Sequence, residues 1–403
     1  MPHLGRESLI RDSGAEQRTT TLELFYDLVF VFAITQVSHL LLADLSWQGA
    51  GQAALVLLVV WWSWNYTTWV TNELDPDSIV VRMLLIGLML ASLLMAIAIP
   101  DAFGDRGLLF AGSYVAIQVG RHTFLTFVGA ERGTIERQRA GQILIWFLVA
   151  GVLWIAGGLA DGSTRTVLWL VALVLDYVAP LVTFWVPGLP PLRPEAWDVG
   201  TGHFAERFQL FIIIALGETI VVTGSTTSEL DLTTARVAAF ALAFLGTAAL
   251  WWLYFNLVAT IVARRLAQTE NRTLLARDAF TYLHVLIVAG ILLVAVGDQL
   301  VIADPTAELG DAQIVAVVCG PALYLLAHVA LRLRIAGTLA GRRLAGAGAC
   351  LAIGGIATFA SAFVVEALLF AVLVAVIAGD QVAAARRRRR GDPSPLERLV
   401  TAG

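Results

Sequence analysis

The sequence predicts an all-α fold: a polytopic membrane helix bundle of about twelve transmembrane helices, arranged as two parallel six-helix repeats. Three observations carry this. Of the 403 residues, 58% are hydrophobic and only 14% are charged, with a mean hydropathy of +0.78. Soluble domains carry about 25% charged residues, so a soluble class is excluded. Apolar runs of about 20 residues recur along the chain, the length a helix needs to cross hydrocarbon. Short polar and aromatic motifs of the first half return, in order, in the second.

The expected spans are 22–43, 50–70, 79–99, 107–128, 141–160, 165–186, 203–224, 235–260, 277–302, 313–333, 343–361 and 364–383. The last two are poorly separated, and a single re-entrant element is the alternative there. Residues 1–21 form a polar segment with no apolar signal-peptide core, so the first helix is expected to direct insertion. Residues 22–186 make the first repeat, 187–202 a Pro-rich linker, 203–383 the second repeat, and 384–403 an Arg-rich tail. Cys319 and Cys350 lie in apolar runs and read as small buried hydrophobes rather than a disulfide framework.

Arginine placement predicts the orientation. All 27 basic residues are Arg. With the N-terminus inside, 22 fall in inner segments and 3 (Arg106, Arg165 and Arg236) in outer loops. Arg121 and Arg207 lie in or at the ends of spans. This bias places both termini in the cytoplasm, with an even number of spans. The run Arg386–Arg390 admits a nucleic-acid or acidic-lipid reading, but a cytoplasmic flank of the last span is preferred.

The internal repeat rests on five matches. Glu23-Leu24-Phe25 opens span 1 and Glu206-Arg207-Phe208 opens span 7. Trp61–Tyr66 (WWSWNY) corresponds to Trp251–Asn256 (WWLYFN). Arg82 and Asp101 flank span 3, as Arg277 and Asp298 flank span 9. His122 of span 4 corresponds to His328 of span 10. The offset grows steadily, from 183 residues at Glu23 to 206 at His122, as small loop insertions in a duplicated unit would leave it. Each unit has an even number of spans, so the pseudo-twofold lies along the membrane normal, with a site expected at the junction.

Charged residues inside spans are the candidates for function, because a carboxylate in hydrocarbon costs at least about 2.5 kcal/mol. Span 1 carries Glu23 and Asp27, four apart and on one helix face. Span 7 carries His203, Glu206, Arg207 and Glu218. Glu218 lies about 16 Å along the axis from Arg207, so it needs a hydrogen-bond partner, water or a bound proton. The structural alternative for Glu23, Asp27, Glu206 and Arg207 is placement at helix ends, where acids suit the macrodipole. For Glu218 it is a fixed pair with a buried Arg or His. Arg121-His122 sits near the inner end of span 4, and Arg121 either snorkels to the interface or pairs with Asp27 or Glu206. His39, His284 and His328 read as hydrogen-bonded core residues, Asn65 and Asn256 as interhelical glue, and Trp61, Trp62, Trp64 and Trp69 as an interfacial belt. No His-x-x-x-His pair, Cys/His spacing, phosphate loop or nucleophile elbow occurs, so neither metal nor cofactor is expected.

Glu23 to Gln36 (ELFYDLVFVFAITQ) and His203 to Val221 (HFAERFQLFIIIALGETIV) resemble the two most recognisable segments of the bacterial low-temperature-requirement protein A (LtrA) family, and the likeness runs from about Arg18 to about Asp380. It implies a polytopic inner-membrane protein and carries over Glu23, Phe25, Asp27, His203, Glu206, Arg207, Gly217 and Glu218 as motif positions. The family is named for a growth phenotype in the cold, which implies little chemistry. Phe25 to Thr35 is also similar to the first helix of potassium channels bearing an FSD motif. Tyr26 replaces the Ser, and Leu210 replaces the Asp in span 7, so convergence of apolar helices is the stronger reading there.

Together these features predict transport of a small solute or ion, with buried carboxylates as binding or coupling groups. An intramembrane enzyme acting on a lipid, through Glu218, His203 or His122, is the second class. A structural membrane protein is the third. Expected partners are the lipid bilayer and an unidentified small solute or ion. A homo-oligomer is compatible with the sequence; nucleic acid is not expected.

Overall fold

The computed structural model describes residue 9 and residues 19–197 and 199–391. Arg6, Arg11, Arg18 and Arg398, assigned above to the inner face, lie outside the described residues, as do most of the N-terminal segment and the end of the tail. The described chain is helical, with an isolated β-bridge between Glu308 and Ser361.

Twelve long helices occur among the described residues. They are α1 (Thr21–Ala43), α2 (Trp47–Thr71), α3 (Ile79–Ala98), α4 (Gly107–Phe124), α5 (Ile135–Leu159), α6 (Gly162–Val178) and α7 (Thr201–Ser228), followed by α8 (Thr234–Gln268), α9 (Arg272–Ala303), α10 (Asp311–Ala336), α11 (Gly341–Gly354) and α12 (Ala362–Arg390). Short π-helical stretches interrupt α8 at Tyr254–Val258 and α9 at Ala276–Leu283, and another, Leu125–Gly129, continues α4. Eight helices are long and apolar enough to cross a membrane: α1, α3, α5, α7, α8, α9, α10 and α12. The chain is a multi-pass membrane protein. In α2 and α4 polar residues, such as Asn65, Gln118 and Arg121, lower the hydropathy. The 14 residues of α11 rise only about 21 Å, short of the ~30 Å of hydrocarbon.

Two helices stop well short of the sequence-based spans. Span 6 was expected to reach residue 186, but α6 stops at Val178. Pro180 follows, and proline restricts the residue before it. Thr183 and Phe184 then adopt left-handed backbone angles, φ 50° and 52°. Span 11 was expected to reach 361, but α11 ends at Gly354-Gly355, and a separate helix begins at Ala362. The last two spans are therefore two helices.

The chain divides into two compact units. Unit 1 holds residues up to Leu40 and Ala50–Arg207. Here α3 packs on α4, α4 on α5, and α5 on α6. Against them α2 places Trp62, stacked on Tyr177 at 3.9 Å, while the Tyr177 hydroxyl donates to the Leu58 carbonyl at 2.9 Å. Asp176 accepts from the Tyr114 hydroxyl at 2.7 Å and from Trp154 Nε1 at 2.9 Å. The Pro-rich segment belongs to this unit. Gln138 and Gln142 donate to the Pro190 carbonyl, and Arg139 joins Glu73 to the Ala196 carbonyl.

Unit 2 holds Leu41–Gly49 and Phe208 onward. Its helices pack in chain order, α9 on α10, α10 on α11 and α11 on α12, and α8 contacts both α9 and α12. Glycines let α9 and α10 approach backbone to backbone. A Cβ on Gly290 would lie 2.8 Å from the Tyr324 nitrogen, and one on Gly320 would lie 2.8 Å from the Val294 nitrogen. Arg343 reaches the Leu253 carbonyl, at the end of the regular part of α8, at 3.2 Å.

Candidate functional site

The site is built on the first turn of α1. Thr20 and Glu23 stand in the T-x-x-E spacing of a capping box. The Thr20 amide and hydroxyl both donate to Glu23 Oε2 at 2.9 Å, and the Glu23 amide returns a bond to Thr20 Oγ1 at 3.4 Å. This cap uses one carboxylate oxygen. The other, Oε1, accepts from Arg207 Nη1 at 3.1 Å and lies 2.9 Å from His203 Nε2. Glu23 is thus both a helix cap and a member of a buried ion cluster.

One turn along α1, Asp27 shares this face. Its Oδ1 accepts from Arg207 Nη2 at 2.5 Å and from Trp64 Nε1 at 2.7 Å. Its Oδ2 has no hydrogen-bond partner. The fork of Arg207 therefore spans both carboxylates, with one nitrogen on each. Thr71 adds an acceptor at 3.4 Å from Nη1. Glu23, Asp27 and Arg207 are each 0% exposed, so these charges are neutralised by one another rather than by water. His203 Nδ1 faces Asn72 Oδ1 at 3.3 Å. All of these residues belong to unit 1.

The wall opposite α1 comes from α2. Ser63, Trp64, Thr67, Thr68, Thr71 and Asn72 recur at helical spacing and are all buried. Trp61, Trp62 and Trp64 were expected in an interfacial belt, but they are buried at 1%, 0% and 0%. The reason is visible at Trp64: its indole N–H neutralises part of the Asp27 charge. Sequence reasoning missed this role, and it missed the capping box, although the T-x-x-E signature was there to be read.

Arg121 does not snorkel, and among the described residues it pairs with neither Asp27 nor Glu206. It is fully buried and donates to the Ser63 carbonyl at 3.3 Å, to Thr67 Oγ1 at 2.8 Å and to Gln118 Oε1. Its guanidinium also lies over the Tyr66 ring, 5.5 Å from the centroid. The Tyr26 hydroxyl donates to the same Thr67 oxygen at 2.8 Å, which ties Arg121 to α1 through neutral groups. His122 bonds its own helix, Nδ1 lying 3.0 Å from the Gln118 carbonyl, and packs against Tyr66 and Phe147.

Two further candidates lie on α7. Glu206 is half-buried, and its Oε2 accepts from the Thr19 amide and hydroxyl, both at 3.0 Å. Glu218 is 3% exposed and belongs to unit 2. Of the lone histidines, His284 is a core residue bonded to Tyr254 Oη at 2.9 Å, and His328 is buried beside Tyr324. His39 was expected in the core but is exposed, because it follows the outward side of α1 with Leu24, Phe25, Leu28 and Phe32.

Chemically, the cluster joins a carboxylate to an imidazole through a direct hydrogen bond, and a proton can reside on either partner. The neighbouring guanidinium keeps its charge throughout. The sequence profile described as Bacterial low temperature requirement A protein (LtrA) matches residues 18–378. The chain is also similar to an uncharacterized protein, RA0937, of Rhizobium meliloti (strain 1021), 35% identical over 382 residues, which covers 94% of this chain and 93% of that one. Glu23, Asp27, His203 and Arg207 all fall within the matched residues, and the chain belongs to the LtrA family of bacterial proteins.

Proposed function

We propose that this protein moves a small solute or ion across the inner membrane, with the buried cluster as its coupling site. The observation that carries the reading is Arg207 holding Glu23 and Asp27 with no exposure, beside His203. A cluster of ionised groups inside apolar helices is costly to build. A fold that only needed stability would be served as well by apolar side chains. Proton uptake at the Glu23–His203 pair would weaken the hold of Glu23 on Arg207 and release the fork toward Asp27 alone. That change gives the site two electrostatic states, which coupled transport requires.

Two observations support a six-helix repeat as the framework. In each unit the last four helices pack in chain order. In each unit, too, the second helix contacts the third and the sixth: α2 through Ser63–Met95 and Trp62–Tyr177, α8 through α9 and α12. The arginine bias supports both termini in the cytoplasm. The family description speaks of a low-temperature requirement, and a membrane flux that limits growth in the cold fits it.

Proteoliposomes under an imposed proton or potassium gradient test the reading. Flux above that of empty vesicles, lost in Asp27→Asn, is the expected result. No flux under either gradient, from protein shown to be folded, would remove transport and leave the enzyme and structural classes.

A further inference from the structure

At one end of unit 2, arginines from three helices converge with too little acid to balance them. Arg334, near the end of α10, pairs with Asp278 at 2.9 Å. Arg332, one turn-face away on the same helix, has no such partner. Among the described residues no carboxylate lies within 4.0 Å of it, and its Nε donates to the Thr338 hydroxyl at 3.2 Å. The acid that attracts it, Asp380 of α12, is already engaged by α11. Arg342 Nε donates to Asp380 Oδ1 at 2.8 Å, and Arg343 Nε lies 3.5 Å from Oδ2. Gly379 makes room for this: a Cβ there would lie 3.0 Å from Arg342 Cδ, so the arginine stem crosses α12 at the glycine. Arg342, Arg343 and Arg387 all repel Arg332. Four arginines of α10, α11 and α12 thus meet with one aspartate among them, an excess of three positive charges.

Like charges held this close are relieved by an anion, and guanidinium forks match the oxygens of a phosphate. The surroundings say which phosphate. Leu333 follows Arg332 in the chain, Leu339 follows Thr338, Leu344 follows Arg343, and Val382 lies two residues past Asp380; all four are exposed. A free phosphate would leave these apolar side chains bare. A phospholipid brings phosphate and hydrocarbon in one molecule. We infer that this end of α10, α11 and α12 binds an anionic phospholipid, its phosphate among Arg332, Arg342 and Arg387 and its acyl chains against the exposed leucines. Basic pockets between membrane helices take anionic headgroups in this way, and the arginine bias assigns this end to the cytoplasmic leaflet. A zwitterionic headgroup carries its own ammonium group and fits the excess charge poorly. The site lies within unit 2 and does not depend on the flux reading of the Glu23 cluster.

Lipid binding to purified full-length protein tests the site. The protein is stripped of lipid in neutral detergent, and bound lipid is counted by native mass spectrometry during titration with phosphatidylglycerol or phosphatidylcholine. Phosphatidylglycerol should bind saturably and phosphatidylcholine at least tenfold more weakly. Inorganic phosphate at equal concentration should not displace the lipid. Arg332→Gln combined with Arg387→Gln should weaken phosphatidylglycerol binding at least tenfold. Arg387→Gln alone, close to the end of α12, serves if the double variant does not fold, and at least a threefold loss is expected there. Arg132→Gln, an exposed arginine between α4 and α5, should leave binding unchanged. Equal binding of the two lipids overturns the inference. So does an equal loss in Arg132→Gln, which would assign the effect to overall charge, and so does displacement by inorganic phosphate, which would make the ligand a free anion.

Discussion

Glu23 Oε1 and His203 Nε2 lie 2.9 Å apart, although 180 residues separate them in the chain. The same carboxylate caps its own helix through Oε2. One side chain thus fixes the start of α1 and closes the buried cluster. A change at Glu23 is felt in both places.

Arg207→Leu removes the cation that touches both Glu23 and Asp27. Breaking a buried pair by deleting one partner costs about 3–5 kcal/mol, because the other charge stays buried. The variant should yield little folded protein, as judged by fluorescence-detected size exclusion. Arg207→Lys keeps one charge but cannot fork to two carboxylates, and it should melt between the Leu variant and the wild type. Wild-type melting for the Leu variant would mean that the cluster contributes nothing to the fold.

Trp64→Phe keeps an apolar ring and removes the N–H that Asp27 accepts at 2.7 Å. A hydrogen bond to a charged group is worth about 1.5–3 kcal/mol. The variant should melt well below the wild type. Equal melting of the two would assign Trp64 to packing alone.

Gly290→Ala and Gly320→Ala place a methyl group against backbone of the facing helix, at 2.8 Å in each case. Overpacking of this kind costs about 1–3 kcal/mol. Gly87→Ala, with nothing within 4 Å, should be neutral. Thermal unfolding in detergent reads the difference. A neutral Gly290→Ala would show that α9 and α10 separate at little cost.

Glu218→Gln keeps the shape of a buried side chain and cannot ionise. It should insert and fold as the wild type does, and lose gradient-driven flux in proteoliposomes. Full flux across the pH range would remove Glu218 from the mechanism. Loss of folding would assign it to a structural pair.

Several features of the site were legible before the fold. Glu23 and Asp27 stand four apart, so one helix face had to carry both. Buried charge needs opposite charge, which pointed to Arg121, Arg207 or His203, and the last two meet the carboxylates. The T-x-x-E spacing at Thr20 was equally local. Arg121 was different: a single arginine near a helix end reads as a snorkelling residue, and only its neighbours on α2 decide otherwise. The tryptophans of α2 misled for the same reason. Indoles suit both an interface and a buried carboxylate, and composition does not distinguish the two.

The sequence by itself determined the class, the helices and the family. Hydropathy summed over about twenty residues is a local property, and so are caps, proline stops and motif spacing. Tertiary structure alone decided which polar groups meet. Asp27 finds Trp64 across 37 residues and Arg207 across 180. Those contacts depend on how separate helices rotate and pack, and the apolar residues that drive packing are nearly uniform around α1, α2 and α7. Helix positions are therefore written in short stretches of chain. The cluster exists only once α1, α2 and the start of α7 turn their few polar residues toward one another, away from lipid.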